Sequence, residues 1–150
     1  MEKDYQDYDD LQICDSVIES LVVNHKEKKI SFNILKVIEP IYKSKTSFTY
    51  KVRKGILEFS GVVYADIPYF IEFDEWNEFY RSAILNSSSL IDQLPERSKL
   101  NKNLTHIYLG VDVGNEFSKI DIVCEEYNLS VEEKDYVLHD DFDWLYEEWY

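Results

Sequence analysis

Alternating hydrophobic and polar positions run through most of the chain between residues 16 and 124 and predict β-strands. The clearest run is 105–113, in which Ile107, Leu109, Val111 and Val113 share one face. GNEFS turns the chain after this run, and a second run returns over 119–124. Runs at 16–23 and 29–38 flank the polar NHKEKK and predict a β-hairpin, although 16–23 also fits a helical stripe.

The stretch 56–85 organises the predicted fold because the hydrophobic period changes within it. Leu57 and Phe59 alternate with polar neighbours as in a strand, and extended character continues to Phe73. From Asp74, which occupies the position of an N-cap, apolar residues recur at helical spacing. They are Trp76, Phe79, Tyr80, Ala83 and Ile84. The pattern predicts an amphipathic helix over 74–86 that covers one face of a sheet.

Proline, glycine and polar residues predict where the connections between the strands lie. Pro40 predicts the end of the run at 29–38, because proline cannot donate to a sheet ladder. A half-buried strand follows around Tyr50, and Lys54-Gly55 predicts the turn after it. Residues 86–103 are rich in Ser, Asn, Lys and Asp and predict a loop with room for one helical turn before Pro95.

These elements predict one α+β domain over residues 1–150. We expect a mainly antiparallel sheet of about six or seven strands, covered by the helix at 74–86. Residues 1–10 read as an acidic arm. Residues 125–150 form an acidic aromatic segment, which predicts a short acidic C-terminal helix.

Charge narrows the class of partner. The chain carries 16 basic and 30 acidic residues, for a net charge of −14. Such a surface repels nucleic acid and anionic membranes and attracts a cationic partner. No apolar stretch of signal or membrane-spanning length is visible, so we expect a cytoplasmic protein. Cys14 and Cys124 lack CxxC spacing and are expected to be reduced thiols.

Positive charge is concentrated in residues 28–54, which hold eight Lys and Arg residues against Glu39 alone. Aromatic residues are interleaved with these cations, a mixture that also occurs in proteins that bind single-stranded nucleic acid. Lys51 and Arg53 occupy alternate positions of a strand, however, where a solvent-facing residue is needed. We therefore favour a solvated charged face.

Motifs for phosphate binding, metallopeptidase chemistry, nucleophile elbows and EF-hands are absent from the sequence. His139 precedes a run of carboxylates, which we interpret as solvated charges rather than as a metal site. His106 lies on the polar face of a strand, where a surface histidine is the favoured interpretation over acid–base catalysis. We expect no catalytic residue, no metal and no cofactor.

The acidic aromatic C-terminus has the composition of a protein interface. Trp and Tyr anchor many interfaces, and carboxylates around them orient the partner. The alternative is that the tryptophans close the core. The predicted partner-binding residues are Asp140, Asp141, Asp143, Trp144, Tyr146, Glu147, Glu148, Trp149 and Tyr150.

Three segments, in this order, give the chain a resemblance to a known group: DSVIESLVVNHKEKKISFNI, ILEFSGVVYADIPYF and FDEWNEFYRSAIL. Their arrangement resembles that of the small immunity proteins encoded beside bacterial polymorphic or contact-dependent toxins. The resemblance implies an acidic cytosolic protein, a sheet with one covering helix, and a role in binding and blocking a cognate toxin. That toxin is frequently a basic nuclease, and no catalytic residue is carried over.

The hypothesis from sequence is a non-enzymatic immunity protein that neutralises a toxin with a basic surface. Its carboxylates would mimic the phosphates of a nuclease substrate, while its aromatic side chains fill apolar recesses. One alternative is an anti-defence protein of a phage or plasmid that mimics DNA. Another is an enzyme with an acid–base or metal site near His106 or His139. The oligomeric state is left open.

Overall fold

The structure, a computed structural model, describes residues 10–42, 48–67, 77–113 and 116–139. These residues form eight antiparallel β-strands and two short helices. The strands are β1 (Val17–Asn24), β2 (Lys29–Tyr42), β3 (Phe48–Ser60), β4 (Tyr64–Asp66), β5 (Asn77–Leu85), β6 (Thr105–Val113), β7 (Glu116–Cys124) and β8 (Glu126–His139). The helices are α1 (Ser89–Gln93) and α2 (Glu96–Lys99).

The sheet closes on itself. Its strand order is β4-β7-β6-β5-β1-β2-β3-β8. Along the chain, β4 follows β3 after residues 61–63, and β8 follows β7 after Glu125. The pair β3–β8 at one end of the strand order therefore runs on into the pair β4–β7 at the other end. Backbone bonds span the junction, with the Val63 N–H donating to the Val123 carbonyl at 2.9 Å and the Glu125 N–H donating to the Ser60 carbonyl at 3.2 Å.

Side chains from all around this closed sheet meet in one core. Alternation along each strand directs every second residue inward. Phe32 packs edge to face against Phe59 and Phe79, with ring centroids 6.2 and 5.3 Å apart. Leu11 and Ile13, which precede β1, complete the same core. The other buried members are Ile30, Ile34, Leu57, Ile107, Leu109, Val111, Ile120, Ile122 and Cys124.

The helix predicted at 74–86 is wrong, because residues 77–85 form strand β5. Tyr80 is an extra residue between the pairs Phe79–Val111 and Arg81–Gly110, and this bulge shifts the phase of the alternation. Phe79 and Ile84 therefore face the core, while Ala83 packs on the outer side against Tyr108. Because β5 has buried residues on both faces and contains one bulge, its apolar residues recur at the spacing expected of a helix. Residues 74–76 lie outside the described ranges.

Other predictions about the sheet are corrected or confirmed by the pairing. The strand count of six or seven is too low, because the described residues contain eight. The hairpin predicted at 16–23 and 29–38 is confirmed as β1 (Val17–Asn24) paired with β2, so the first run is strand rather than helix. Pro40 does not end β2, which continues to Tyr42 and is paired there, among the described residues, with β3 alone. Proline is tolerated because β1 pairs with β2 only as far as Leu35, so no described strand needs an N–H donor from Pro40 on that side.

Gly55 is a paired residue within β3 rather than part of a turn. It lies opposite Ile34 on one side and Val131 on the other. A Cβ at this position would stand 3.0 Å from the Ser130 carbonyl oxygen, so glycine permits the close approach of β8. The single strand Phe48–Ser60 therefore replaces two predicted strands.

The strand predicted at 105–113 is confirmed as β6, the run at 119–124 lies within β7, and the helical turn expected before Pro95 is α1. In the acidic segment 125–150, residues 126–139 form strand β8. The C-terminal helix and the acidic arm were predicted for residues that lie mostly outside the described ranges. No helix among the described residues has the length and hydropathy needed to span a membrane.

Candidate functional site

The partner-binding residues predicted from sequence lie outside the part of the chain that the structure describes, as does the run of carboxylates after His139. This set consists of Asp140, Asp141, Asp143, Trp144, Tyr146, Glu147, Glu148, Trp149 and Tyr150. The described residues nevertheless present a second surface of acidic and aromatic character, on the outer side of β5, β6 and β7.

Three aromatic rings and one guanidinium form what we call the aromatic platform: Tyr80, Arg81, Tyr108 and Phe117. The rings of Tyr80 and Phe117 pack edge to face with centroids 5.2 Å apart. The hydroxyls of Tyr80 and Tyr108 are 3.3 Å apart, within hydrogen-bond distance. The Arg81 guanidinium lies over both tyrosine rings, 5.9 Å from that of Tyr80 and 5.4 Å from that of Tyr108. Phe117 is 73% exposed, whereas Tyr80 and Arg81 are half-buried and Tyr108 is buried, so the platform meets solvent mainly through Phe117.

Strand geometry explains why these side chains meet on the outer side. Because Ile107, Leu109 and Val111 point into the core, alternation directs Tyr108 and Asp112 outward. The bulge in β5 turns Tyr80 toward the outer surface, where its ring lies against Gly110. Phe117 is opposite Asp112 in the β6–β7 register and so borders the same surface.

A group of three carboxylates, the carboxylate cluster, adjoins the platform: Asp15, Glu78 and Asp112. Glu78 and Asp112 are paired residues on β5 and β6. Partial burial and the neighbouring charges of Asp15 and Asp112 raise the pKa of the Glu78 carboxyl to about 7. Negative charge is therefore held at this surface at an energetic cost, which a nearby cation would relieve.

Cys14 lies between the two groups. Its Sγ donates a hydrogen bond to the Tyr80 carbonyl at 3.1 Å. Burial, followed by the charge of Asp15, raises the pKa of this thiol above its ordinary value. A thiol in that environment carries little thiolate and is a poor nucleophile. Cys14 and Cys124 are both free cysteines in the structure.

His106 is buried, and its interpretation as a surface histidine is wrong. Only 4% of the residue is exposed. Its Nε2 lies 2.7 Å from Oδ1 of Asp121, and its Nδ1 lies 2.9 Å from Oγ of Ser88. Nε2 donates to the Asp121 carboxylate, and Nδ1 shares a hydrogen bond with the Ser88 hydroxyl, which can either donate or accept. Ser88 comes from the segment before α1, a position that strand alternation does not reveal.

The same serine also caps a helix. Ser88 is the N-cap of α1, and its Oγ accepts a hydrogen bond from the Ile91 N–H at 3.2 Å. The Ser88–His106–Asp121 chain therefore fastens α1 to the outer side of β6 and β7. A hydroxyl, an imidazole and a carboxylate follow one another as in a catalytic triad, but with the ring nitrogens interchanged, since Nδ1 faces the serine and Nε2 the carboxylate.

Two cations of the positive strip at 28–54, Lys51 and Arg53, pair with one carboxylate of β8. Arg53 Nε lies 2.6 Å and Lys51 Nζ 3.2 Å from the carboxylate of Asp135. The hydrogen bond from Arg53 is the main cause that lowers the pKa of the Asp135 carboxyl. The basic strand and the acidic segment, far apart in sequence, are thus neighbours in the sheet.

Within the described ranges, no group of three or more His, Cys, Asp or Glu side chains is placed to hold a metal ion. Comparison of the chain with family models, with curated proteins and with solved structures found no match.

Proposed function

We propose that this chain is a non-enzymatic binding protein that covers a cationic surface of a protein partner, in the manner of an immunity protein that neutralises a toxin. The observation that carries the proposal is the aromatic platform, with the exposed ring of Phe117 at its surface, beside the carboxylate cluster. Most of their members lie on β5, β6 and β7, so little conformational entropy has to be lost when a partner docks.

The composition of the platform is that of an interface hot spot. Tyr and Arg are enriched among residues that dominate binding energy, and the exposed ring of Phe117 offers an apolar anchor. A surrounding net charge of −14 steers a cationic partner toward the protein and raises the association rate. The acidic aromatic residues 140–150 remain predicted partner-binding residues.

The carboxylate cluster supplies selectivity for a positive charge. Glu78 is held at a pKa of about 7 by partial burial and by two other carboxylates. A partner Lys or Arg placed near Glu78 would stabilise its ionised form and release a proton on binding. Affinity should therefore rise as the pH increases through 7, and fall as salt is added.

The deciding experiment is co-expression with the product of the adjacent gene, followed by capture on a tag at low salt and measurement of the affinity. Phe117→Ser, in the platform, is expected to weaken the complex at least tenfold. Tyr127→Ser is the matched control, because Tyr127 is also an exposed aromatic but belongs to β8. Failure to retain any toxin domain, or equal affinity of the two variants, would contradict the proposal.

The Ser88–His106–Asp121 chain favours one second candidate function, a serine hydrolase. Its geometry supplies a hydroxyl, a base and an orienting carboxylate within 2.9 Å of one another in turn. It ranks second because the Ser88 oxygen already accepts the Ile91 N–H as a helix cap. Labelling of Ser88 by a fluorophosphonate, lost in both Ser88→Ala and His106→Gln, would promote this candidate. If the fluorophosphonate did not label the protein, the serine hydrolase function would be excluded.

A further inference from the structure

A cavity of about 880 Å³ opens between the β1–β2 hairpin, the segment after β3 and the region of α2. This volume lies within the range of small-molecule sites, roughly 300 to 1,000 Å³. Its floor is apolar and includes Leu21, Ile30, Val62 and Ile67, of which Ile30 also belongs to the core. The cavity is separate from the aromatic platform and from the Ser88–His106–Asp121 chain, whose residues do not line it.

The charge of this cavity is opposite to that of the protein. Lys28, Lys29, Arg97 and Lys102 line it together with His25, and none of the 15 lining residues in the described part of the chain is Asp or Glu. Acidic residues make up 30 of the 150 residues in the chain, so about three would be expected among fifteen taken at random. The nearest described compensation is an ion pair of Lys29 with Glu58, at 4.0 Å.

Backbone bonds hold the wall of the cavity in place. Lys28 has a φ of 56°, the left-handed region that favours glycine, in the turn between β1 and β2. Its carbonyl accepts a hydrogen bond from the Val62 N–H at 3.0 Å. This bond ties the hairpin to the segment that also supplies Val63, Tyr64 and Ala65. The basic and the apolar parts of the wall are therefore joined independently of any ligand.

We propose that this cavity binds a small amphipathic anion, a molecule with an apolar chain or ring system and a phosphate or carboxylate group. The apolar part would cover Leu21, Val62 and Ile67, while Arg97 and Lys102 would meet the anionic group at the rim. Charge complementarity favours this class, because an anionic group at the rim would pair with basic side chains there, whereas a cationic ligand would be repelled by them. The proposal is independent of the platform and of the protein partner.

The test uses four probes below the concentrations at which they form micelles: decanoate, decyl phosphate, decanol and inorganic phosphate. Isothermal titration calorimetry of the full chain should show one site for at least one of the two amphipathic anions, and their relative affinity identifies the preferred head group. Decanol and inorganic phosphate should each bind at least tenfold more weakly than the better anion. If decanol bound as tightly as the better anion, charge would not contribute to binding. If inorganic phosphate bound as tightly, the apolar floor would not contribute. Either result overturns the proposal.

Variants locate the site. Arg97→Glu and Lys102→Glu should each weaken the better anion at least fivefold, and Ala65→Phe should do so by filling the cavity. Lys134→Glu changes the net charge equally but lies on β8, outside the lining residues, and should leave the affinity within twofold of the original. If Arg97→Glu and Lys134→Glu lost affinity to a similar extent, the effect would depend only on the net charge of the protein, and the proposal would be overturned. So would the absence of binding by both anions.

Discussion

The ring of Tyr80 lies against the backbone of Gly110 on the neighbouring strand, so closely that a Cβ at position 110 would stand 2.5 Å from its Cζ. Glycines in strands leave backbone exposed, and a ring from an adjacent strand often covers them. Here the glycine lets Tyr80 lie flat enough to contact Phe117 and approach the Tyr108 hydroxyl. The arrangement of the aromatic platform therefore depends on the absence of one side chain.

Gly110→Ala should displace the Tyr80 ring and lower the free energy of unfolding by about 1–3 kcal/mol, the usual cost of overpacking. Urea denaturation measures this change. In a Tyr80→Ala background the same substitution should cost less than half as much, because the obstructing ring is gone. Equal costs in the two backgrounds would show that the ring and the glycine are not coupled.

Gly61→Ala should weaken the junction that closes the sheet. Gly61 has a φ of 61°, and a Cβ there would collide with the Glu125 side chain. Left-handed backbone strain and the collision together predict a loss of about 2–4 kcal/mol in the free energy of unfolding. Gly61→Asn, which tolerates this backbone better, should be less damaging than Ala only in a Glu125→Ala background. If Gly61→Ala unfolds at the same urea concentration as the original chain, the glycine is not required.

Glu78 should make stability depend on pH between its ordinary pKa of 4.5 and its folded pKa of about 7. Below this window both states carry the proton and the residue has no effect. Within it, the unfolded carboxyl ionises first, so the free energy of unfolding falls as the pH rises, and above 7 the loss is complete. Because the side chain is half-buried and solvent screens it, we expect a total of about 1–2 kcal/mol.

Glu78→Gln tests this assignment by urea denaturation at pH 4.5, 6 and 8. The variant should be more stable than the original chain at pH 8 and similar to it at pH 4.5. Glu133→Gln, an exposed position on β8, is the control and should change neither value. A uniform shift of the Glu78→Gln curve at all three pH values would assign the effect to something other than ionisation.

Asp121 should be essential to the buried hydrogen bonds of Ser88, His106 and Asp121 that fasten α1 to the sheet. Asp121→Ala would leave the Nε2–H of His106 buried without its 2.7 Å acceptor, at a cost of about 2–3 kcal/mol. Asp121→Asn keeps a carbonyl oxygen as acceptor and should cost less than half of that. Differential scanning calorimetry distinguishes the two variants. Equal losses would show that packing, rather than the hydrogen bond, is what the carboxylate provides.

Alternation was sufficient to predict most of the strands that have one buried face. In β6 and β7 the inward residues Ile107, Leu109, Ile120 and Ile122 are those expected, because a period of two leaves few other ways to bury them. The hairpin of β1 and β2 followed from two apolar runs around a polar turn. The charge argument for a cationic protein partner also needs only composition, and it remains a prediction.

The candidate sites could not be predicted from the hydrophobic periodicity of the sequence. Tyr80 looked like one position of a helical stripe, and only its bulge in β5 places it on the platform. His106 and Asp121 fell on polar faces, and nothing local indicates that Ser88 covers them. The cavity joins basic residues from the β1–β2 turn to others from α2 and beyond, which are some 70 residues away in the chain.

By itself, the sequence determined which segments extend, because alternating side chains must send their apolar members to one side. It also determined the sign of the surface charge. Only the tertiary structure decided that the sheet closes, since closure depends on β3–β4 meeting β7–β8 at Gly61 and Glu125. It also decided that Asp135 compensates Arg53, because a contact between residues so far apart in the chain is set by strand register rather than by local pattern.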